Sequence, residues 1–135
     1  MTVLLVDAAN VVGSRPDGWW RDRAGANARL LARLAGLAGR ELPGPDGAPL
    51  PVTEVVAVVE GQGNAAPAPH GVTVVRAERS GDDTIVDVAA RLSADGNPLL
   101  VVTADRGLRA RLPAGAAVTG PGWLLARLDE VAPRA

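Results

Sequence analysis

The run VLLVDAAN, residues 3–10, decides how the rest of the chain reads. Val3 to Val6 are continuously apolar and stop at Asp7, the pattern of a short strand covered on both faces. A signal peptide or a membrane span needs a longer apolar stretch than this, so the start reads as a buried strand. Such a strand belongs in a mostly parallel sheet with helices on both sides, which predicts that strands and helices alternate along the chain.

Outward from that run, Val55 to Val59, Val72 to Val75 and Leu99 to Val102 repeat the signature, and Ala116 to Val118 is a fifth short strand. Helical patterns lie between them. Arg21 to Leu42 carries Leu30, Leu31, Leu34, Leu37 and Ala38 at helical spacing, with Gly36 and Gly39 weakening its end. Asp82 to Ala94 puts Ile85, Val88, Ala89 and Leu92 on one face, with Ser80 or Asp82 as N-cap. Arg106 to Leu112 reads as a short helix stopped by Pro113, and Pro121 to Val131 as a last helix with proline in its first turn. Pro43 to Pro51 and Gly61 to Gly71 read as surface loops. The expectation is an α/β fold in three layers, a mostly parallel central sheet of about four to five strands flanked by helices. One domain is expected to span residues 1–135.

Composition narrows the function. The 135 residues include no cysteine, which excludes a disulfide framework and thiolate metal sites and fits a cytoplasmic protein. A net charge of -1 excludes a chain that is basic all over, so any nucleic acid must be held by a local patch. The 14 basic residues are all arginine, which most simply reflects a GC-rich gene, yet arginine supplies bidentate donors to phosphate whatever its origin.

Ligands of parallel α/β sheets bind beyond the carboxyl ends of the strands. The first strand ends in Asp7, the second in Glu60 and the fourth in Thr103-Ala104-Asp105, while the second long helix opens on Asp82-Asp83. Gathering these carboxylates costs energy through like-charge repulsion unless a cation offsets it, and an all-oxygen set suits Mg²⁺ or Mn²⁺. Such a cation lowers the pKa of a bound water, orients it and neutralises charge developing on a phosphodiester. The lone His70, in a Gly/Pro loop, adds no nitrogen cluster. Helical geometry puts Asp82 at the edge of the apolar sector and Asp83 and Asp87 on the opposite face, where Asp87 has Arg91 one turn away.

Around the acids, Asn10 has an amide within reach of Asp7, Thr103 a hydroxyl for phosphate or bound water, and Arg106 a guanidinium to clamp phosphate. Arg15, Arg21 and Arg23 after the first strand, with Arg106, Arg109 and Arg111 after the fourth, form a candidate basic border. Trp19 and Trp20, just past Gly18, are candidates for stacking on an unpaired base, whereas Trp123 is assigned to the core.

Together, VDAANVV (6–12), SGDDTIVDVA (80–89), VVTADRGLRARL (101–112) and GPGWLLARLD (120–129) resemble the NYN/YacP-like branch of the PIN-domain nucleases. The resemblance implies a three-layer PIN-like fold and a ribonuclease that hydrolyses RNA with Mg²⁺- or Mn²⁺-activated water. It maps the acidic centre onto Asp7, Asp82-Asp83 and Asp105, with Asn10, Thr103 and Arg106 at the accompanying polar positions and Glu60 as a further acid. The register of SGDDTIVD leaves Asp82, Asp83 and Asp87 open as ligands. RNA is the implied partner and a membrane is not, while a second copy or a regulatory protein is left open. Two other functions fit the same acids, a phosphohydrolase of free nucleotides and an RNA-binding module without turnover. A G-x-x-x-x-G-K-[ST] phosphate loop is absent from the sequence.

Overall fold

Each apolar run becomes a strand in the computed structural model, which describes residues 1–15 and 17–131. In chain order the elements are β1 (Thr2–Asp7), α1 (Ala8–Gly13), α2 (Arg23–Leu34), β2 (Glu41–Pro43), β3 (Pro49–Val59) and β4 (Val72–Arg76). There follow α3 (Gly81–Ala94), β5 (Leu99–Val102), α4 (Arg106–Arg111), β6 (Ala117–Thr119) and α5 (Pro121–Val131). Short 3-10 turns occupy Trp19–Arg21 and Gly61–Ala65.

β4, β3, β1, β5 and β6 lie side by side and all pair in parallel. β2 is antiparallel to the first residues of β3 and makes a sixth strand, one more than the sequence predicts. All six residues of β1 are buried, as the unbroken apolar run requires. Their side chains alternate between two cores. Leu4 and Val6 join Leu31 and Leu34 of α2 and Leu124 and Leu128 of α5, while Val3 and Leu5 meet Ile85, Val88 and Ala89 of α3 and Leu108 of α4. The result is three layers, with α1, α2 and α5 on one face of the sheet and α3 and α4 on the other.

The predicted helix over Arg21 to Leu42 is corrected by the structure. α2 ends at Leu34, and Gly39 adopts a left-handed φ of 78° that no continuing helix tolerates. The Gly39 N–H then donates to the Val52 carbonyl at 2.9 Å and the Val52 N–H to the Arg40 carbonyl at 2.8 Å, so Leu42 becomes a buried strand residue. Leu37 stays buried without being helical, which is why its spacing was misleading. The segment predicted as a loop over Pro43 to Pro51 is a hairpin, closed by Gly44 N–H to Ala48 O at 2.8 Å, and β3 starts at Pro49 instead of Val55. Residues 8–13 form α1, which the Asp7 side chain caps by accepting from the Asn10 N–H. Ser80, rather than Asp82, is the N-cap of α3.

This topology sets the position of the site. The chain leaves central β1 for β3 and β4 on one side, then crosses through α3 to β5 on the other, so the carboxyl ends of β1 and β5 flank the switch point. Val6 pairs with Val102 and Asp7 with Val58, which brings Asp7, Thr103 and the residues after β3 to one rim. Among the described residues no helix is long and apolar enough to cross a membrane.

Candidate active site

Asp7 lies at the base of the rim, with 6% of its surface exposed. Its carboxylate is held twice, by the Thr103 hydroxyl donating to Oδ2 at 3.0 Å and by the Asn10 backbone N–H donating to Oδ1 at 3.3 Å. Thr103 is fully buried, and its Oγ1 also accepts from the Asp105 N–H at 3.2 Å. One hydroxyl thereby ties the end of β1 to the turn after β5. The Asn10 side chain makes a second tie, its Oδ1 accepting from the Ala104 N–H at 2.9 Å. Both differ from expectation. Asn10 holds Asp7 through its backbone rather than its amide, and the Thr103 hydroxyl is committed to Asp7 and Asp105 rather than directed at a phosphate.

Above Asp7 opens a cleft of about 490 Å³, lined by Asp7, Asn10, Trp19, Arg23, Asn27, Glu60, Arg79, Asp82 and Asp105 among others. Four carboxylates thus face two guanidiniums. Burial pushes the Asp7 carboxyl up to about 6, and the charges of Asp82 and Glu60 add to the effect, while the bonds from Thr103 and Asn10 oppose it. Asp82 is raised as well, first by burial and then by Asp105 and Asp83, with Arg111 acting against them. Two raised carboxyls in one cleft mark it as the candidate site.

The acids at the start of α3 divide between two settings. Asp82 lines the cleft, whereas exposed Asp83 takes the Arg111 guanidinium at 2.6 Å. Asp87 is exposed and outside the lining, and among the described residues its expected pairing with Arg91 is not formed. Asp105 caps α4, its Oδ1 accepting from the Leu108 N–H at 3.0 Å. Glu60 is anchored by the Gly81 N–H, which donates to Oε2 at 2.6 Å and links the end of β3 to the start of α3. Gly81 is glycine for this reason, since a Cβ there would lie 2.0 Å from Oε2. A Gly81→Ala variant is expected to displace Glu60 and lose about 1–2 kcal/mol in urea denaturation. Unchanged stability would show that this bond contributes nothing.

The predicted basic border assembles in part. Arg23 lines the cleft, and its guanidinium stands 5.3 Å from the Trp19 ring centroid. Arg21 lies 5.9 Å from the centroid of Trp20, which is 52% exposed. Arg15 instead turns toward Asp129 at 3.8 Å, Arg111 is taken by Asp83, and Arg106 and Arg109 are exposed outside the lining. Trp123 is half-buried against the core and donates from Nε1 to the Pro43 carbonyl at 3.1 Å.

Two lining residues were not singled out from the sequence. Arg79 immediately precedes the Ser80 cap, and a residue at that point of a strand-to-helix crossover falls on the carboxyl rim. Asn27 shares the buried face of α2 with Leu30, Leu31 and Leu34, so a polar residue at an apolar spacing was its signal.

Among the described residues no group of three or more His, Cys, Asp or Glu side chains is gathered closely enough to hold an ion. The donors still fit a hydrated Mg²⁺ or Mn²⁺, because Mg²⁺ keeps several of its waters and takes one or two carboxylates plus substrate phosphate rather than an all-protein cage.

A mostly parallel sheet of this order, with helices on both faces and acids at the switch point, is a PIN-like α/β fold. The structure is similar to the crystal structure of Rae1 (YacP) from Bacillus subtilis, with a TM-score of 0.74. The two share 20% sequence identity, and the match covers 97% of this chain and 77% of that one. No family model and no curated protein sequence matches the chain.

Proposed function

We propose that this chain is a ribonuclease, one domain acting in the cytoplasm, that hydrolyses RNA phosphodiester bonds with a hydrated Mg²⁺ or Mn²⁺ that one or two of Asp7, Asp82 and Asp105 would ligate, the others reaching it through its waters. The observation that carries the reading is a single cleft at the carboxyl ends of β1, β3 and β5 that Asp7, Glu60, Asp82 and Asp105 line together with Arg23 and Arg79, in a fold similar to that of Rae1 (YacP). Resemblance of the acidic motifs to the NYN/YacP-like nucleases supports RNA as the substrate.

When bound, the cation supplies an activated water and offsets charge on the phosphodiester. The chain's own residues do the rest. Thr103 and Asn10 fix the Asp7 carboxylate, Asp105 is pinned by its cap to α4, and Glu60 holds the start of α3 so that Asp82 faces the cleft. Arg23 and Arg79 meet the incoming phosphates, the bidentate donors that an acidic cleft needs to admit a polyanion.

Cleavage of labelled RNA by the full chain is expected with Mn²⁺ and none with EDTA. Turnover that survives EDTA, or turnover of nucleoside triphosphates but not RNA, would overturn the proposal. Saturating Mn²⁺ is also expected to raise the melting temperature of the wild-type chain by about 5 °C, and to leave that of Asp7→Asn unchanged. Equal shifts in both proteins would remove Asp7 from the ligand set.

A further inference from the structure

We infer that the turn at Trp19–Arg21 is a binding subsite for an unpaired nucleobase, stacked on Trp20 beside the cleft. The inference takes its polymer from the ribonuclease reading above, and its geometry from the residues that separate β1 from α2.

The turn is pinned at both ends. Gly18 enters it with a left-handed φ of 79°, and Asp22 leaves it as the N-cap of α2, its Oδ1 accepting from the Gly25 N–H at 3.0 Å. The two indoles consequently diverge. Trp19 turns inward and lines the cleft, while Trp20 turns outward with 52% of its surface exposed, the one large apolar side chain besides Met1 that is exposed among the described residues. Their rings meet edge to face, centroids 6.0 Å apart at 88°. Trp19, which lines the cleft, therefore buttresses Trp20, whose ring stands next to that lining.

An indole held in water at this cost in apolar exposure offers a flat surface to a partner that is itself flat. Arg21, 5.9 Å from the Trp20 centroid, and Arg23, 5.3 Å from that of Trp19, place positive charge beside both rings. Aromatic rings interleaved with arginines form a platform for a base with the sugar-phosphate chain alongside, and stacking tolerates any base because every base has a π face. Arg23, beside Trp19, lines the cleft together with Arg79 and the carboxylates, so a base on Trp20 would have positive charge between it and the acids.

Space points the same way. Asp7 is 6% exposed at the base of a cleft of about 490 Å³, a volume on the scale of a small ligand such as one nucleotide. A base paired in a duplex also has no free face for Trp20.

The test measures binding of the full chain in EDTA, by anisotropy, to a labelled unstructured oligouridylate and to the same strand annealed to its complement. Trp20→Ala is expected to weaken single-strand binding about tenfold and to leave duplex binding unchanged. Trp20→Phe, which keeps a ring, is expected to recover most of the loss. Unchanged single-strand affinity in Trp20→Ala, or an equal loss on the duplex, would overturn the subsite. Cleavage in Mn²⁺ separates the two proposals. If RNA is cut but Trp20→Ala binds as wild type, the subsite falls and the ribonuclease stands; if Trp20-dependent binding persists without cleavage under any metal, the subsite stands and the ribonuclease falls.

Discussion

Asp7→Asn is expected to lower RNA hydrolysis by about 10³-fold or more, while making the chain more stable in chelator. The gain follows from the Asp7 carboxyl, which burial raises from 3.8 to about 6. Between those values the folded chain binds the proton and the unfolded chain does not, so stability falls as pH rises and levels off above about 6. At neutral pH the ionised group costs about 3 kcal/mol, two units at about 1.4 kcal/mol each. Asparagine removes the charge, but its NH₂ group replaces one of the two accepting oxygens and faces a donor, the Thr103 hydroxyl or the Asn10 N–H, which leaves a net gain of about 1–2 kcal/mol. Urea denaturation with EDTA should show the advantage at about pH 8 and its shrinkage toward about pH 4. A variant that keeps wild-type activity, or is less stable than wild type throughout, would take Asp7 out of the centre.

Thr103→Val is expected to act in the opposite sense on stability. The substitution keeps the shape of a fully buried side chain, and leaves Asp7 Oδ2 and the Asp105 N–H without their shared partner. A hydrogen bond to a buried charge contributes about 1.5–3 kcal/mol, so a loss of that size is expected at about pH 8 in urea denaturation. Because the hydroxyl lowers the Asp7 pKa, its removal raises it further, and the loss should be smaller near pH 4, where Asp7 is protonated. Hydrolysis should fall about 10- to 100-fold, as it does when groups that orient ligands are removed. An equal stability loss at both pH values would show that Thr103 supports packing and not the carboxylate.

How far the sequence disclosed this arrangement depends on whether a signal was local. Val3 to Val6 and Leu99 to Val102 specify buried strands by themselves, because nothing but two covered faces tolerates an unbroken apolar run. β2 was not legible, since three residues, Glu41, Leu42 and Pro43, carry no period, and only pairing with residues after Gly47 makes them a strand. In the site, the strand-end positions of Asp7 and Asp105 followed from fold class alone. The division between Asp82 and Asp83 followed from helical phase, but the partner that draws Asp83 outward, Arg111, is 28 residues away. The roles of Thr103 and Asn10 were misread for a similar reason. Each had a plausible external ligand, and the internal acceptor or donor that claims it comes from a strand more than 90 residues distant.

The two ties, through the Thr103 hydroxyl and the Asn10 side chain, join the segments that leave the adjacent central strands β1 and β5, whereas the Trp19–Arg21 turn lies outside the sheet. Acid placement and the proposed base subsite therefore reside in segments that can diverge independently. A graft that exchanges residues 17–22 for another loop would reprogram what the cleft accepts without redrawing its floor.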